Sequence, residues 1–380
     1  MAGATVQRTR AQQVNDLLDS AEVAALIADL EETRWTGRPG YPVRSMVGMM
    51  LVKSLYAIPT WSRTARLVGE HAALQEALGA APSVYACYRF TAKLREFPDA
   101  VDRCIAAVLA RLREQNPEMG RNIAIDGSDM PAYANGQRFV SKGGRERERY
   151  SDPDASWGHR SSVSTRSGGG YYGYKLHAAV CTATGLPVAW RVESARTNET
   201  MIAPSLLDAA AARGFRTETC AMDKGYDVTT MYDACEERGI RPIVPLRQTP
   251  DVKKGKDAPP SCEHGVWTFA GSDTKRGASK WRCSAGQCAP ASAWVKADRL
   301  HPLVPRATAR FKSLYHRRGA VEREFGRLKH EWSLLPLRVR RIDGVRLHAD
   351  LSILARLSMA LLAAQPLRVV TDAGFGKAAA

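Results

Sequence analysis

The 380-residue chain has no run of about 18 apolar residues that would span a bilayer, and its first residues lack the short apolar core of a secretory signal. The expectation is therefore a cytoplasmic protein that engages no membrane. Acidic residues are in deficit, with 39 Asp and Glu against 55 Lys and Arg, and the formal charge of +16 suits a polyanionic partner such as nucleic acid. An Arg-rich composition can also reflect codon usage, so the placement of the charge has to decide. The eight cysteines are scattered and form no disulfide framework. Cys87, Cys104, Cys181, Cys220 and Cys235 read as small core residues. No Ser/His/Asp or Cys/His constellation for nucleophilic catalysis can be assembled.

What is present is enough apolar residue, 44% of the chain, for two or three domains. The first hundred or so residues carry helical periodicity over Ala21 to Glu32, Arg44 to Tyr56 and Ser62 to Glu70, and Ser83 is a good N-cap for a helix bearing Arg89, Lys93 and Arg95. Two readings stand for this region, a helix-turn-helix that enters a DNA groove and a helical bundle with a solvated basic face. From Arg121 the period shortens: Asn122 to Asp126 alternates as a short buried strand ending on a carboxylate. Ser141 to Gly170 reads as a mobile loop, through which Arg145, Arg147, Arg149, Arg160 and Arg166 are spread. Tyr174 to Cys181 and Leu186 to Val192 predict a hairpin turning at Thr182 to Gly185, followed by a helix over Pro204 to Arg213, a strand over Thr219 to Met222, a helix over Val228 to Arg238 and a strand over Ile240 to Leu246. That order predicts a mixed α/β sheet covered by helices. An insertion begins at Pro250 and runs to about Pro305, and the last helices are Lys312 to Trp332 and Leu347 to Ala363.

Two aspartates, Asp126 and Asp223, end predicted strands, where an α/β sheet gathers side chains into one cleft. Gly127 and Gly225 after them leave room for a ligand. A single strand-end aspartate is more often a turn former or a cap, so the pair is suggestive only. The decisive segment is Tyr315-His-Arg-Arg-Gly-Ala-Val-Glu-Arg-Glu-Phe-Gly-Arg-Leu-Lys329. On a continuous helix Tyr315, Arg318, Glu322 and Lys329 fall within an arc of about 60°, with Gly326 close to the same stripe, while Glu324 points to the opposite side. A helix of surface salt bridges would also contain Glu322, but it does not require a phenol, a guanidinium and an amine on the same stripe. Fourteen Lys and Arg against five Asp and Glu between Lys296 and Arg346 place the basic excess around this helix. Within that stretch Leu334-Leu-Pro-Leu-Arg-Val-Arg-Arg alternates apolar and basic groups, as a loop or strand lying along DNA would.

At these residues the chain resembles the DDE transposases of bacterial insertion sequences. Tyr315, Arg318, Glu322 and Lys329 match the Y-x2-R-x3-E-x6-K signature, and Asp126 and Asp223 match the contexts of the first and second aspartates. Arg38-Pro-Gly-Tyr-Pro and the helices after it look like the N-terminal domain common in such proteins. The resemblance implies an RNase H-like mixed sheet flanked by helices, with Asp126, Asp223 and Glu322 as a catalytic triad holding Mg2+ or Mn2+. It divides the chain into a helical DNA-binding domain (1–118), a catalytic domain (119–249 and 306–366), an insertion before the last catalytic helix (250–305) and a flexible tail (367–380). Arg318, Lys329, Arg323, Arg327, Arg338, Arg340 and Arg341, with Tyr315, are then expected to contact DNA. The implied activity is cleavage and strand transfer at element ends by a homodimer. A nuclease of the same fold without strand transfer, and a silent DNA-binding descendant, are the alternatives.

The insertion carries Cys262-Glu-His264 and Cys283-x4-Cys288, a set able to make a tetrahedral zinc site, or else free thiols and a surface histidine. Trp267, Phe269 and Trp281 between the two halves read as module core, with stacking on an unpaired base as the second reading. His177 is expected to be hydrogen-bonded within the sheet, the alternative being that it orients a metal-bound water.

Overall fold

The structure is a computed structural model that describes residues 8–33, 40–136, 150–160, 162 and 167–364. It opens with helices α1 (Arg10–Leu18), α2 (Ala21–Glu32), α3 (Val43–Leu55), α4 (Trp61–Glu70), α5 (Ala72–Leu78), α6 (Val84–Leu94) and α7 (Pro98–Gln115). Their starts are chemically specified. Thr9 and Gln12 form a reciprocal capping box at α1, Thr60 and Ser83 accept backbone N–H groups at α4 and α6, and Pro98 opens α7. Every residue of α3 except Arg44 is buried, because this helix is apolar nearly all round and the others wrap it. Gly48 permits the closest approach: a Cβ there would lie 2.6 Å from Leu78 Cγ.

The sheet follows, built from β1 (Asn122–Pro131), β2 (Ser156–Arg160), β3 (Gly169–Cys181), β4 (Pro187–Ser194), β5 (Thr219–Ala221) and β6 (Arg241–Ile243). Its order is β6-β5-β1-β3, and β2 and β4 pair with successive lengths of β3. β3 runs antiparallel to β1, β2 and β4, whereas β5 is parallel to both β1 and β6. This is the RNase H-like arrangement that the resemblance implied. Helices α8 (Glu199–Ala212) and α9 (Thr229–Glu237) make the crossovers to β5 and β6. The insertion holds a short helix α10 (Pro250–Lys253), a hairpin of β7 (Ser261–Cys262) and β8 (Gly265–Val266), and a small sheet of β9 (Thr268–Asp273), β10 (Ala278–Arg282) and β11 (Ser292–Lys296). Helices α11 (Ala309–His316), α12 (Gly319–Glu331) and α13 (Ile342–Ala364) complete the described chain.

One apolar core joins the N-terminal helices, the six-stranded sheet and the last helices, running from Val14 to Leu362. α13 is its spine: it packs on α7, α3 and β4, and Asp350 accepts a 2.7 Å hydrogen bond from Trp190 Nε1. By length and composition alone α13 is long and apolar enough to cross a membrane, yet half of its most apolar window is buried inside the protein, as in a core helix.

Four expectations need correction. β1 does not end at Asp126 but continues to Pro131, because β3 goes on pairing with it after β5 has left. The stretch read as a loop contains β2, which places Arg160 in the sheet, while Arg145, Arg147, Arg149 and Arg166 lie outside the described residues, as do Arg38, Pro39 and the tail from 365. α8 begins at Glu199 rather than Pro204, capped by the Asn198 side chain, and Pro204 lies inside the helix. The helix expected from Lys312 to Trp332 is two, separated by Arg317 and Arg318.

The insertion is tied to the sheet by one buried carboxylate. Asp227 is fully buried; its Oδ2 accepts from Arg247 N at 2.9 Å and from Arg299 Nη1 at 2.6 Å, and its Oδ1 accepts from the Tyr232 hydroxyl at 3.0 Å with Arg306 Nη2 3.6 Å away. Both ends of the insertion thus meet on one side chain four residues after Asp223. Asp227→Ala leaves two guanidinium groups without their buried counter-charge and is expected to cost roughly 3–5 kcal/mol. Urea unfolding checks this, and an unchanged midpoint would show that the clamp contributes nothing.

Candidate active site

Asp126 stands on β1 just past Ala124, the last residue paired with β5, and Asp223 follows the end of β5 by two residues. Parallel pairing therefore brings both carboxylates to the same end of two adjacent strands. Asp126 Oδ1 accepts from Gly127 N at 2.8 Å. Asp223 Oδ1 accepts from Gly225 N at 2.6 Å and caps a 3-10 turn over Lys224–Tyr226. A Cβ at 225 would sit 2.8 Å from that same oxygen, so a larger residue would crowd the carboxylate.

The third carboxylate arrives on α12. Arg318 Nη1 donates to Asp126 Oδ2 at 2.9 Å, and its Nη2 donates to Glu322 Oε1. The break before α12 is tight, with Arg318 N donating to Tyr315 O and Val321 N to Arg318 O, so the stripe read from an unbroken helix survives it. Tyr315 stacks on Phe311 with the Arg318 guanidinium 6.0 Å from its ring, and Lys329 Nζ reaches Asp129 Oδ1 at 3.4 Å, where Arg160 Nη1 also pairs at 3.1 Å. Glu322 is 57% exposed and faces the cleft, whereas Glu324 has no exposed side-chain surface and binds Arg356 Nε at 3.0 Å and Arg327 Nη1 at 3.5 Å. Two glutamates two residues apart thus have opposite surroundings, one the cleft and the other the core.

Sequence reasoning missed Glu199. It is the first residue of α8, held by Lys175 Nζ at 2.7 Å, and a Cβ on Gly127 would meet its Oε1 at 2.9 Å. Its signal was the Asn198 N-cap, which was passed over in favour of Pro204 as the helix start. Burial pushes the Asp126 carboxyl up to about 7; Glu199 and Asp223 add to the rise, against the opposing pull of the Gly127 N–H and Arg318. Tyr226 lies against the same group, 1% exposed, and its hydroxyl has no hydrogen-bond partner among the described residues. Burial raises its pKa, and Glu199, Asp126 and Asp223 raise it further. A pocket where burial and neighbouring carboxylates raise Asp126 to about 7, beside the buried Tyr226 hydroxyl, has room in its charge balance for a hard cation. A cavity of about 530 Å3 opens alongside, lined by Glu199, Lys175, Gly225, Tyr226, Arg196 and the half-exposed Trp157.

A family model described as "Transposase DDE domain" matches residues 118–358, and another described as "Transposase domain" matches residues 3–91. The chain belongs to the DDE transposases. No curated protein matches it. Among solved structures, the piggyBac transposase synaptic complex with hairpin DNA is similar at 11% identity and a TM-score of 0.41, covering 92% of this chain and 74% of that one.

Three further arginines of the transposase, Arg338, Arg340 and Arg341, lie between α12 and α13. Arg340 Nε donates to Tyr133 O at 2.8 Å, and the Arg338 and Arg340 guanidiniums lie 5.1 and 5.3 Å from the exposed Tyr133 ring. Arg341 N donates to Asp152 Oδ1 at 3.1 Å, while its side chain pairs with Asp154 at 3.5 Å. Arg323 is exposed on α12. His177, 1% exposed and cross-strand from Gly127, departs from expectation: neither ring nitrogen has a partner among the described residues, and burial lowers its pKa to about 3, helped by Lys175 and Arg191. Cys262, His264, Cys283 and Cys288 converge within the insertion.

The raised pKa of Asp126 has a definite sign. The folded protein favours the protonated acid, so this contribution to stability is present below the ordinary carboxylate range and is lost as pH rises through about 7. In magnesium-free buffer the transposase should melt lower at mildly alkaline than at mildly acidic pH, and Asp126→Asn should flatten that slope. Parallel pH profiles for the two proteins would refute the assignment.

Proposed function

We propose that the transposase cuts DNA at the ends of an insertion sequence and joins the freed ends to target DNA, using divalent cations held by Asp126, Asp223 and Glu322. The observation that carries this reading is the single guanidinium that bonds Asp126 and Glu322 together, with Asp223 close enough to raise the pKa of Asp126. Hard carboxylate oxygens suit Mg2+ or Mn2+. The bound ions would polarise the scissile phosphate and stabilise charge on the attacking and leaving oxygens.

The chain's own residues supply the rest. Arg318 keeps the carboxylates from repelling one another before cations enter, and its planar fork then suits a phosphate. Lys329 and Arg160, paired with Asp129, lie along the same face. Glu199 supplies a further carboxylate from α8, with Lys175 balancing its charge. Arg323, Arg327, Arg338, Arg340 and Arg341 carry the positive surface on from α12 to the start of α13, and Trp157 offers a ring for an unpaired base. In the N-terminal helices, Arg89 with the exposed Tyr85 and Tyr88 on α6 is the surface proposed to bind element ends. Two element ends call for two copies of the chain in the working complex.

The test is cleavage of DNA carrying the element's own ends, with Mg2+ or Mn2+ and a target plasmid. Losing a metal carboxylate removes several kcal/mol of transition-state stabilisation, so Glu322→Ala is expected to slow cleavage roughly a thousandfold or more. Its exposure predicts little change in stability. Glu324→Ala is expected to do the reverse, costing roughly 3–5 kcal/mol of stability by stranding Arg356 while leaving the cleft chemistry in place. Undiminished cleavage by Glu322→Ala would move the active site elsewhere, and cleavage without joined products would favour the nuclease.

A further inference from the structure

Residues 250–298 form a module with very little interior: Ala278, Ser279, Trp281 and Cys283 are its buried residues. Phe269 meets Trp281 edge-on at 5.7 Å, and Trp281 Nε1 is satisfied by Ser279 Oγ at 2.9 Å. Trp267 carries a buried Nε1 without a partner among the described residues. So small an apolar cluster does not offset the conformational entropy of ordering nearly fifty residues. The two-stranded hairpin of β7 and β8 makes no sheet pairing with β9–β11. Something other than apolar burial must hold the parts together.

Four side chains meet where the hairpin faces the end of β10. Cys262 Sγ is 3.7 Å from Cys283 Sγ and 3.9 Å from His264 Nδ1, and Cys288 Sγ is 3.5 Å from the same nitrogen. All four ligand atoms lie within 4.8 Å of one another. A tetrahedral zinc ion with Zn–S near 2.3 Å and Zn–N near 2.05 Å requires S···S edges of about 3.8 Å and S···N edges of about 3.5 Å. The three closest separations lie within about 0.4 Å of those edges, and Cys262 Sγ and Cys283 Sγ are far from the roughly 2.05 Å of a disulfide. Local backbone chemistry favours the site too. Gly265 (φ +111) turns the hairpin so that Cys262 and His264 face one point, and Gly286 (φ +68) makes the same kind of turn between Cys283 and Cys288.

We infer that Cys262, His264, Cys283 and Cys288 bind one structural Zn2+, a site separate from the carboxylate cleft, and that this ion fixes the β7–β8 hairpin to the β9–β11 sheet. Four protein ligands leave no open position for a water, so the ion takes no part in hydrolysis. Three thiolates select a borderline-soft cation over Mg2+. With the hairpin fixed, the module presents Trp294, partly exposed, with the Arg276 guanidinium 4.7 Å and Lys280 Nζ 5.6 Å from its ring.

Elemental analysis of the full-length protein, purified reduced and without chelators, should find about one zinc per chain. Cobalt substitution should give the intense visible absorption and thiolate charge-transfer bands of a tetrahedral site. Cys262→Ser and Cys288→Ser should each lower the zinc content to a small fraction and make the 250–298 segment sensitive to limited proteolysis. Asp126→Asn should retain the full zinc content, which separates this site from the proposed catalytic one. The inference is overturned if zinc-reconstituted native protein holds no stoichiometric metal, if iron rather than zinc is found, or if the cysteine variants keep their zinc.

Discussion

Asp126, Asp223, Glu199 and Glu322 are gathered toward one end of β1 and β5, and like charges brought that close repel unless something cationic stands among them. Arg318 does so from α12, reaching Asp126 with one arm and Glu322 with the other. Lys175 does the same for Glu199 from β3. The arrangement makes the docking of α12 and the shape of the cleft one problem: the helix that brings the third acid also brings the counter-charge that lets it approach.

The rest of the fold holds that helix and those strands in position. α12 packs on β1 and β3, and Glu324 on its buried side is bound to Arg356 of α13. α13 in turn packs on α7 and α3, so the N-terminal helices and the sheet are one apolar body with α12 fastened to it. The Asp227 clamp does for the insertion what Glu324 does for α12. In each case a buried carboxylate with more than one guanidinium partner joins elements distant in sequence, and its directional bonds specify geometry that apolar packing alone would leave loose.

Charge has therefore been sorted by depth. Glu324 and Asp227 are buried and paired with arginines, Glu322 is exposed at the cleft, and the two buried acids sit two and four residues from catalytic candidates. A spacing of two on α12 sends Glu324 inward and Glu322 toward the cleft. The same sorting separates a hard-oxygen site at the sheet end from a sulfur-rich cluster in the insertion, and the two would select different cations without competition.

Local sequence determined the elements and the family. The cap at Ser83, the turn at Gly185 and the spacing of Tyr315, Arg318, Glu322 and Lys329 depend on neighbours within a few residues, so they are legible without a fold. Boundaries that depend on a partner strand were not. β1 runs past Asp126 only because β3 pairs with it there, and β2 is a strand only because β3 offers it an edge. Glu199 became visible as a neighbour of Asp126 once the α8 N-terminus was placed against Gly127, since proximity across 73 positions leaves no periodic trace. The break in the helix at Arg317 and Arg318, the lack of a partner for His177 among the described residues and the convergence of Cys262, His264, Cys283 and Cys288 likewise belong to tertiary structure. The chain's chemistry was written in its residue types, but which groups share a cleft was decided by strand pairing and by buried ion pairs, which act between residues that the sequence keeps far apart.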